Sequence, residues 1–558
     1  MAYLSANNTF MRTTQRAPRS CRSCASRKVK CDKAVPCSTC IKRGEAEACT
    51  REMVIIRGQA KMWKDVPSIP TYEELSRENH RLQKEVESLR LNGGQIEEEA
   101  RHTGKLARAD HDDEGLEDRL WENLSAASTA TGSSVSKWND VILPSMACSE
   151  QLILYDKMWN SWVHYAVEYP QFEEECSGFV AAVEKGMSLE RADLSWMAVY
   201  FSVLSAALLM MGDDEAERLI LPHGLDRRKI SRIWYDAAIF ALSRADFMRV
   251  PRIHTVQAIA VLGMCFNNWG DVDMGQHMWS SALRIAQRIG LNTPYSNAAS
   301  CLSTEAQHRL WWTLVICEWL NLPYRPPAVD DADFDVPLPS ASSSEEDTRV
   351  HYHIFMARTA TVVYRFRSTI RPGLRSLDDI AKAVRLADEE LAAIIDTLPT
   401  HLQPDIDDVG DEELRQLQLA QPCIRWQRYD ITLVLLHLRL HIHRILQAQW
   451  LSSPDDYNWA RTVCVNSAMS VVWINRNWDQ PASMRKQWAL SYHIFVSAIL
   501  LLRECRIAPA VDVEEYYDAL QTALNLLEEV KSWNAIAYHA AAIVYDNMDK
   551  CDSMVNAA

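Results

Sequence analysis

A chain of 558 residues is too long for one simple core, and 48% apolar with 24% charged residues describes a globular protein of several domains rather than a disordered one. The formal charge of −15 argues against a nucleic-acid binder only until it is divided by region. Residues 12–65 hold fourteen Lys and Arg against five acids, a net of +9, which leaves −24 for the remainder. A basic segment of that density can sit on phosphates, while the acidic remainder is repelled by them.

In chain order, residues 1–20 are polar and basic (Arg12, Arg16, Arg19) and read as a disordered tail. Met1–Arg19 lacks the apolar run of a secretory signal, so a reducing compartment is expected, and with it metal binding rather than disulfides. Of 15 cysteines, six fall within residues 21–49, spaced Cys21-x2-Cys24-x6-Cys31-x5-Cys37-x2-Cys40-x8-Cys49. The other nine are scattered singly and read as reduced core thiols.

A Cys-x2-Cys pair can place both sulfurs on one zinc, and zinc wants four such ligands in a tetrahedron. Two pairs, each followed by a third cysteine, make two similar halves. Two zinc ions need eight ligand positions, so two of the six sulfurs must bridge both metals. The alternative, one four-cysteine site with two spare thiols, leaves the third cysteine of each half unexplained. A unit of 29 residues has almost no apolar core and must be stabilised by metal. Arg22, Arg27, Lys28, Lys30 and Lys33 crowd the first half, and Lys42 and Arg43 flank the second. These cations are either solvated surface charges or the contacts of a DNA reader, whose base-reading donors must reach guanine O6 and N7 in the major groove.

This module resembles the fungal Zn2Cys6 binuclear cluster family, including the basic run between the second and third cysteines in CRSCASRKVKCDKAVPCSTC. The resemblance implies that Cys21 and Cys37 bridge. One zinc would then take Cys21, Cys24, Cys31 and Cys37, and the other Cys37, Cys40, Cys49 and Cys21. It also implies that Lys28, four residues after the second cysteine, reads a CGG triplet, with Arg27 and Lys30 contacting neighbouring bases or phosphates. Pro36 matches the family's loop proline.

Residues 50–71 read as a linker. In residues 72–91, Leu75, Leu82 and Leu89 recur every seven positions, which makes Tyr72, Asn79 and Val86 the complementary seam. An Asn in that seam favours a two-stranded parallel coiled coil. The segment is expected to dimerise the chain and to present two heads to two CGG triplets. An isolated amphipathic helix on the body and a monomer on a single site are the alternatives. Residues 92–137 read as a flexible acidic and Ser/Thr-rich linker. Within it, Asp110–Leu124 carries seven acids with Leu116, Leu120, Trp121 and Leu124 at helical spacing, read as a solvated linker helix or an activation segment.

Residues 138–558 read as all-α. Leu194–Gly212, uncharged for 19 residues, reads as a buried helix rather than a membrane span, and Gly275–Gly290 as an amphipathic helix stopped by its last glycine. His437, His441 and His443 share one expected helix; core or surface histidines are favoured there over a metal pair. GQHMWSSALRIAQRIGL and the later EAQHRLWWTLVICEWLNLPYRPPAVDDADFDVPLP resemble the fungal-specific transcription factor domain, the middle homology region. Arg309, Leu310, Trp311 and Trp312 match its arginine–tryptophan signature, with both tryptophans expected in the core. Tyr324 and Glu318 depart from it, where glycine and aspartate are usual.

The fold class is therefore expected to be all-α: a small Zn2Cys6 head, a short coiled coil and a large α-helical regulatory domain. No Walker loop, G-x-S-x-G, H-E-x-x-H or dinucleotide fingerprint is present, which speaks against an enzyme. The resemblance implies a nuclear, DNA-binding activator of RNA polymerase II genes, holding two Zn2+ ions per chain. Its partners would be double-stranded DNA with CGG triplets, a second copy of itself and the transcription machinery or coregulators, with no membrane. Control of a clustered, secondary-metabolic pathway is the further expectation from class alone. A repressor or a zinc-dependent interaction module is the alternative.

Overall fold

The computed structural model describes residues 12–14, 22–30, 37–45, 54–56, 114–128, 132–222, 226–294, 302–321, 326–340, 348–370, 376–403, 412–477, 482–507 and 510–555. Cys21, Cys31, Cys49, Lys33 and the whole coiled-coil segment, Tyr72, Leu75, Asn79, Leu82, Val86 and Leu89 included, lie outside them, as does the side chain of Arg22. The chain divides into two compact units, residues 1–111 with 392–397 and residues 112–391 with 398–558.

In the first unit, strand β1 (Arg12–Thr14) pairs in parallel with β2 (Val54–Ile56), with Arg12 opposite Val54 and Thr14 opposite Ile56. The expectation placed these segments in a disordered tail and a linker. The β-branched run Val54-Ile55-Ile56 opposite Thr13-Thr14 suits a strand, but three residues are too few for alternation to be seen. Between the strands lie two short helices, α1 (Arg22–Ser26) and α2 (Ser38–Ile41).

The second unit is helical among its described residues. Its helices include α3 (Glu114–Ser128), α4 (Met146–Tyr155), α5 (Leu194–Met210), α6 (Arg227–Arg244), α7 (Ile253–Leu262), α8 (Val272–Arg288), α9 (Thr304–Trp319) and α10 (Val350–Thr369). They continue with α11 (Cys423–Arg444), α12 (Pro454–Asn477), α13 (Trp488–Ile507), α14 (Ala510–Val530) and α15 (Ala535–Val555). The core is laid around α5, which packs on α4, α6 and α7. Asp193 starts α5 by accepting from the backbone N–H groups of Ser195 and Trp196, satisfying two of the helix's orphan donors. Its serines are satisfied internally, Ser202 on the Ala198 carbonyl and Ser205 on the Ser231 carbonyl, so an all-round apolar helix is affordable in the core. Among the described residues one helix, α13, is long and apolar enough to cross a membrane, and most of it is buried against α12, α14 and α15.

Helix α8 ends as the sequence indicates. Gly290 takes φ 84° and the Leu291 N–H returns to the Ala286 carbonyl. Trp311 and Trp312 are both buried, and Trp312 donates to the Pro337 carbonyl at 2.9 Å. Phe334 lodges its ring 5.4–5.9 Å from those of Trp311, Trp312 and Trp319, tying the Asp335–Pro339 loop to α9. Glu318 accepts from the backbone N–H of Ala328, so the departure from aspartate is accommodated by a direct contact; Tyr324 lies outside the described residues.

Helix α3 corrects an expectation. Its segment was assigned to a flexible linker, yet Leu116, Leu120, Trp121 and Leu124 are buried and the helix packs on α8 and α15. Glu117 pairs with Arg444 and accepts from the Tyr492 hydroxyl at 3.0 Å, and Trp121 stands 5.5 Å from the Tyr492 ring. The four apolar residues at helical spacing are an apolar stripe with a partner surface, so α3 belongs to the body.

Candidate metal centre and nucleic-acid interface

The head is built from two copies of one local design. Cys37 is the N-cap of α2, and its sulfur accepts from the Cys40 N–H at 3.4 Å. Cys40 then lies in the helix, Gly44 takes a left-handed conformation at φ 71°, and the Glu45 N–H returns to the Cys40 carbonyl. In the first half Cys24 lies in α1, Lys28 is left-handed at φ 55°, and the Val29 N–H returns to the Cys24 carbonyl. Lys28 thus occupies the backbone slot that glycine fills in the second half. A side chain bears strain of roughly 1–3 kcal/mol in that conformation, whereas glycine adopts it freely. The sequence signal for this repeat is the shared offset of four residues from Cys24 to Lys28 and from Cys40 to Gly44, which the cysteine spacing alone does not expose.

The two halves meet at sulfur. Cys24, Cys37 and Cys40 are buried, with their sulfurs all within 4.8 Å of one another. Cys24 Sγ lies 3.6 Å from Cys37 Sγ and 4.0 Å from Cys40 Sγ. Thiolates at about 2.3 Å from a tetrahedral zinc stand about 3.8 Å apart, so these separations fit metal ligands. None of the three is disulfide-bonded, and Val29 packs against them as the apolar lid. The resemblance assigns Cys24 and Cys40 to different zinc ions, with Cys37 shared. The Cys24–Cys40 separation is also short enough for a common metal, so the partition of ligands is a matter for stoichiometry.

Around this trio the cations Lys28, Lys30, Lys42 and Arg43 are exposed. Arg27 is exposed as well, but it forms a two-pronged ion pair with Glu45, Nη1–Oε2 2.6 Å and Nη2–Oε1 2.8 Å. That hydrogen-bonded pairing holds the Glu45 carboxyl below its ordinary range and lifts the Arg27 guanidinium above its own. Arg27 therefore bridges the two halves, a role the reading of basic residues as a single class missed. Thr39 adds a second bridge through its hydroxyl to the Lys30 carbonyl at 3.0 Å.

The histidines of α11 separate. His443 donates its Nδ1–H to the Arg439 carbonyl at 2.8 Å and faces Trp459, whereas His437 and His441 face inward, where His493 of α13 stacks on His437 at 4.1 Å. Among the described residues their ring nitrogens do not gather with a third ligand atom as the three sulfurs do.

Comparison with known proteins follows the same division. Residues 19–53 match the model of the fungal Zn(2)-Cys(6) binuclear cluster domain, and residues 157–377 match that of the fungal specific transcription factor domain. Among curated proteins the chain is similar to the transcriptional regulator AacuB of Aspergillus aculeatus, 30% identical over 120 residues, 21% of this chain and 16% of that one. It is also similar to the C6 finger domain transcription factor hasF of Aspergillus fumigatus, 21% identical over 390 residues, 61% of this chain and 48% of that one. The chain thus spans half or less of the length of these curated relatives. Among solved structures it is similar in fold to the K. lactis CBF3 core, with a TM-score of 0.52 and 11% identity, covering 79% of this chain and 89% of that one.

Proposed function

Because the chain carries a fungal Zn(2)-Cys(6) binuclear cluster domain ahead of a fungal specific transcription factor domain, the build of a Zn2Cys6 fungal transcription factor and not of an enzyme, we propose that it is a nuclear, sequence-specific DNA-binding regulator of RNA polymerase II transcription. The head binds two Zn2+ ions through Cys21, Cys24, Cys31, Cys37, Cys40 and Cys49. Lys28 reads a CGG triplet in the major groove, while Arg22, Lys30, Lys33, Lys42 and Arg43 hold the flanking phosphates. Arg27, braced by Glu45, meets a neighbouring base or phosphate. Residues 72–91 pair two chains, so that two heads engage two triplets. The regulator acts as an activator on a set of clustered metabolic genes.

One observation supports the reader assignment most directly. A lysine is held in a left-handed backbone slot, exposed, beside the sulfur trio, where glycine serves in the other half. Strain retained at one position points to a task for its side chain.

The test is selection of bound sequences from a random DNA pool by the full chain, with zinc measured in the same preparation. Enrichment of paired CGG triplets and two zinc ions per chain are expected. One zinc per chain would replace the shared-sulfur cluster with a four-cysteine site. Selected sequences without CGG would remove Lys28 from its role.

A further inference from the structure

The body holds a half-open cavity of about 280 Å3, lined by residues of α8, α9, α10, α11 and α13. That is close to the lower end of the range in which proteins hold small organic ligands, ~300–1,000 Å3. The wall is mostly aromatic and aliphatic, with Trp162, Phe266, Trp279 and Trp488 supplying flat surfaces. Cys317 of α9 shows how hollow the place is. Its side chain is exposed to the cavity, and the protein around it pushes the thiol up to about 12.

The polar groups are concentrated. Arg367 lines the wall at 8% exposure, with Nη1 on the Trp319 carbonyl at 2.7 Å. His437 and His493 line it too, at 4% and 5% exposure, and neither has a hydrogen-bond partner on Nδ1. His441 completes the group, with its ring 6.3 Å from that of His437. Burial holds these imidazoles neutral, His441 and His493 down at about 3 and His437 well below its ordinary value, with Arg367 and Arg444 adding to the effect at His437 and His441. Asp430, the acid on the wall, is already engaged by the Tyr352 hydroxyl. The unanswered nitrogen of His437 lies near the fixed charge of Arg367, while His353 Nδ1 and Trp162 Nε1 elsewhere on the wall are unanswered too. Buried polar atoms are nearly always satisfied, so unpartnered nitrogens on side chains that line a cavity call for a polar partner. A metal ion does not fit, because the ring nitrogens do not converge on a common centre.

We propose that this cavity is a binding site for a small aromatic acid, its flat ring system seated among Trp162, Phe266, Trp279 and Trp488 and its carboxylate or phenolate held by Arg367, His437 and His493. The site lies wholly within the second unit. It draws α11 and α13, which lie beyond the matched residues 157–377, into one structure with α8, α9 and α10.

The full zinc-loaded chain is titrated with benzoate, 2-naphthoate and anthracene-2-carboxylate, and with the neutral 2-naphthalenemethanol and the cationic 2-naphthylmethylamine. Calorimetry and quenching of tryptophan emission report binding. Saturable one-to-one binding of at least one acid is expected, tenfold or more tighter than the amine. In Cys317→Trp the new ring occupies the void, and all binding is expected to weaken at least tenfold while the circular dichroism spectrum is retained. If that variant does not fold, the pair H437F/H493F provides the same decision: the acids weaken at least tenfold and the neutral alcohol does not. The proposal is overturned if no acid binds saturably, if amine and acid bind equally, or if a folded Cys317→Trp or the histidine pair leaves acid binding unchanged.

Discussion

Lys28 joins a left-handed backbone to the proposed base contact, and one substitution removes both. Lys28→Gly removes the side chain and the strain together. The head should keep its zinc and gain up to ~1 kcal/mol of stability, while selective binding to CGG DNA is lost. Zinc stoichiometry with a gel-shift assay checks this, and retained selectivity would reassign the base contact. Deep in the body, Glu504 is fully buried and relies on Arg461, with Nη2–Oε2 at 2.6 Å and Nε–Oε2 at 3.0 Å. Arg461→Met strands that carboxyl, a change that costs about 3–5 kcal/mol when a buried pair loses one member. Scanning calorimetry should show a clear fall in the melting temperature of the body. At this scale the cysteines were legible because metal coordination demands fixed residue types at fixed spacing. The Arg27–Glu45 bridge was not, since eighteen positions separate the partners and only the folded turn brings them together.

Among elements, the helices with a clear apolar stripe and a glycine stop, such as α8, read directly from the sequence, as did the burial of Trp311 and Trp312. Helix α3 did not, because acids on its outward face resemble those of a solvated linker, and only the surfaces of α8 and α15 show that its leucines have a partner. Leu120→Ala should therefore cost ~2–5 kcal/mol of local stability. Limited proteolysis should then cut within 114–128 much faster than in the unaltered chain; equal rates would mean that the docking contributes little. A close approach is equally invisible in sequence. A Cβ on Gly275 would stand 2.8 Å from Cβ and Cγ of Phe266. Gly275→Ala forces α8 away from Phe266 and should cost about 1–3 kcal/mol, seen as a lower denaturation midpoint.

On the scale of the whole molecule, buried histidines make the body sensitive to acid. His353, His441 and His493 are held near 3 by burial, and His437 well below its ordinary value, against about 6.5 in the unfolded chain. The unfolded chain therefore takes up protons first. The stability these groups contribute is intact above about pH 6.5 and is lost as pH falls from there toward 3. Asp430, raised to about 6 by burial, acts in the opposite direction between about 6 and its unfolded value, and Asp271, also raised by burial, acts in the same sense as Asp430. His401, held at about 4, and His254, His443 and His539, all lowered by burial, add to the histidine side. Melting temperatures measured from pH 7.5 to 5 should fall steadily; a flat profile would mean that these histidines gain protons without unfolding. Metal removal divides the molecule differently. A chelator should abolish DNA binding while the far-ultraviolet circular dichroism hardly changes, because among the described residues the long helices lie in the body and two short ones in the head.

The pairing of Arg12–Thr14 with Val54–Ile56 is parallel, so the chain leaves the cysteine module running in the direction in which it entered. The module is a crossover between two neighbouring parallel strands rather than a hairpin between antiparallel ones. A cut from 15 to 53 would have to join Thr14 to Val54, which sits beside Arg12 at the other end of the pair, so β2 would move with the cut. The entry and exit strands are tied side by side, and that tie is lost with the module.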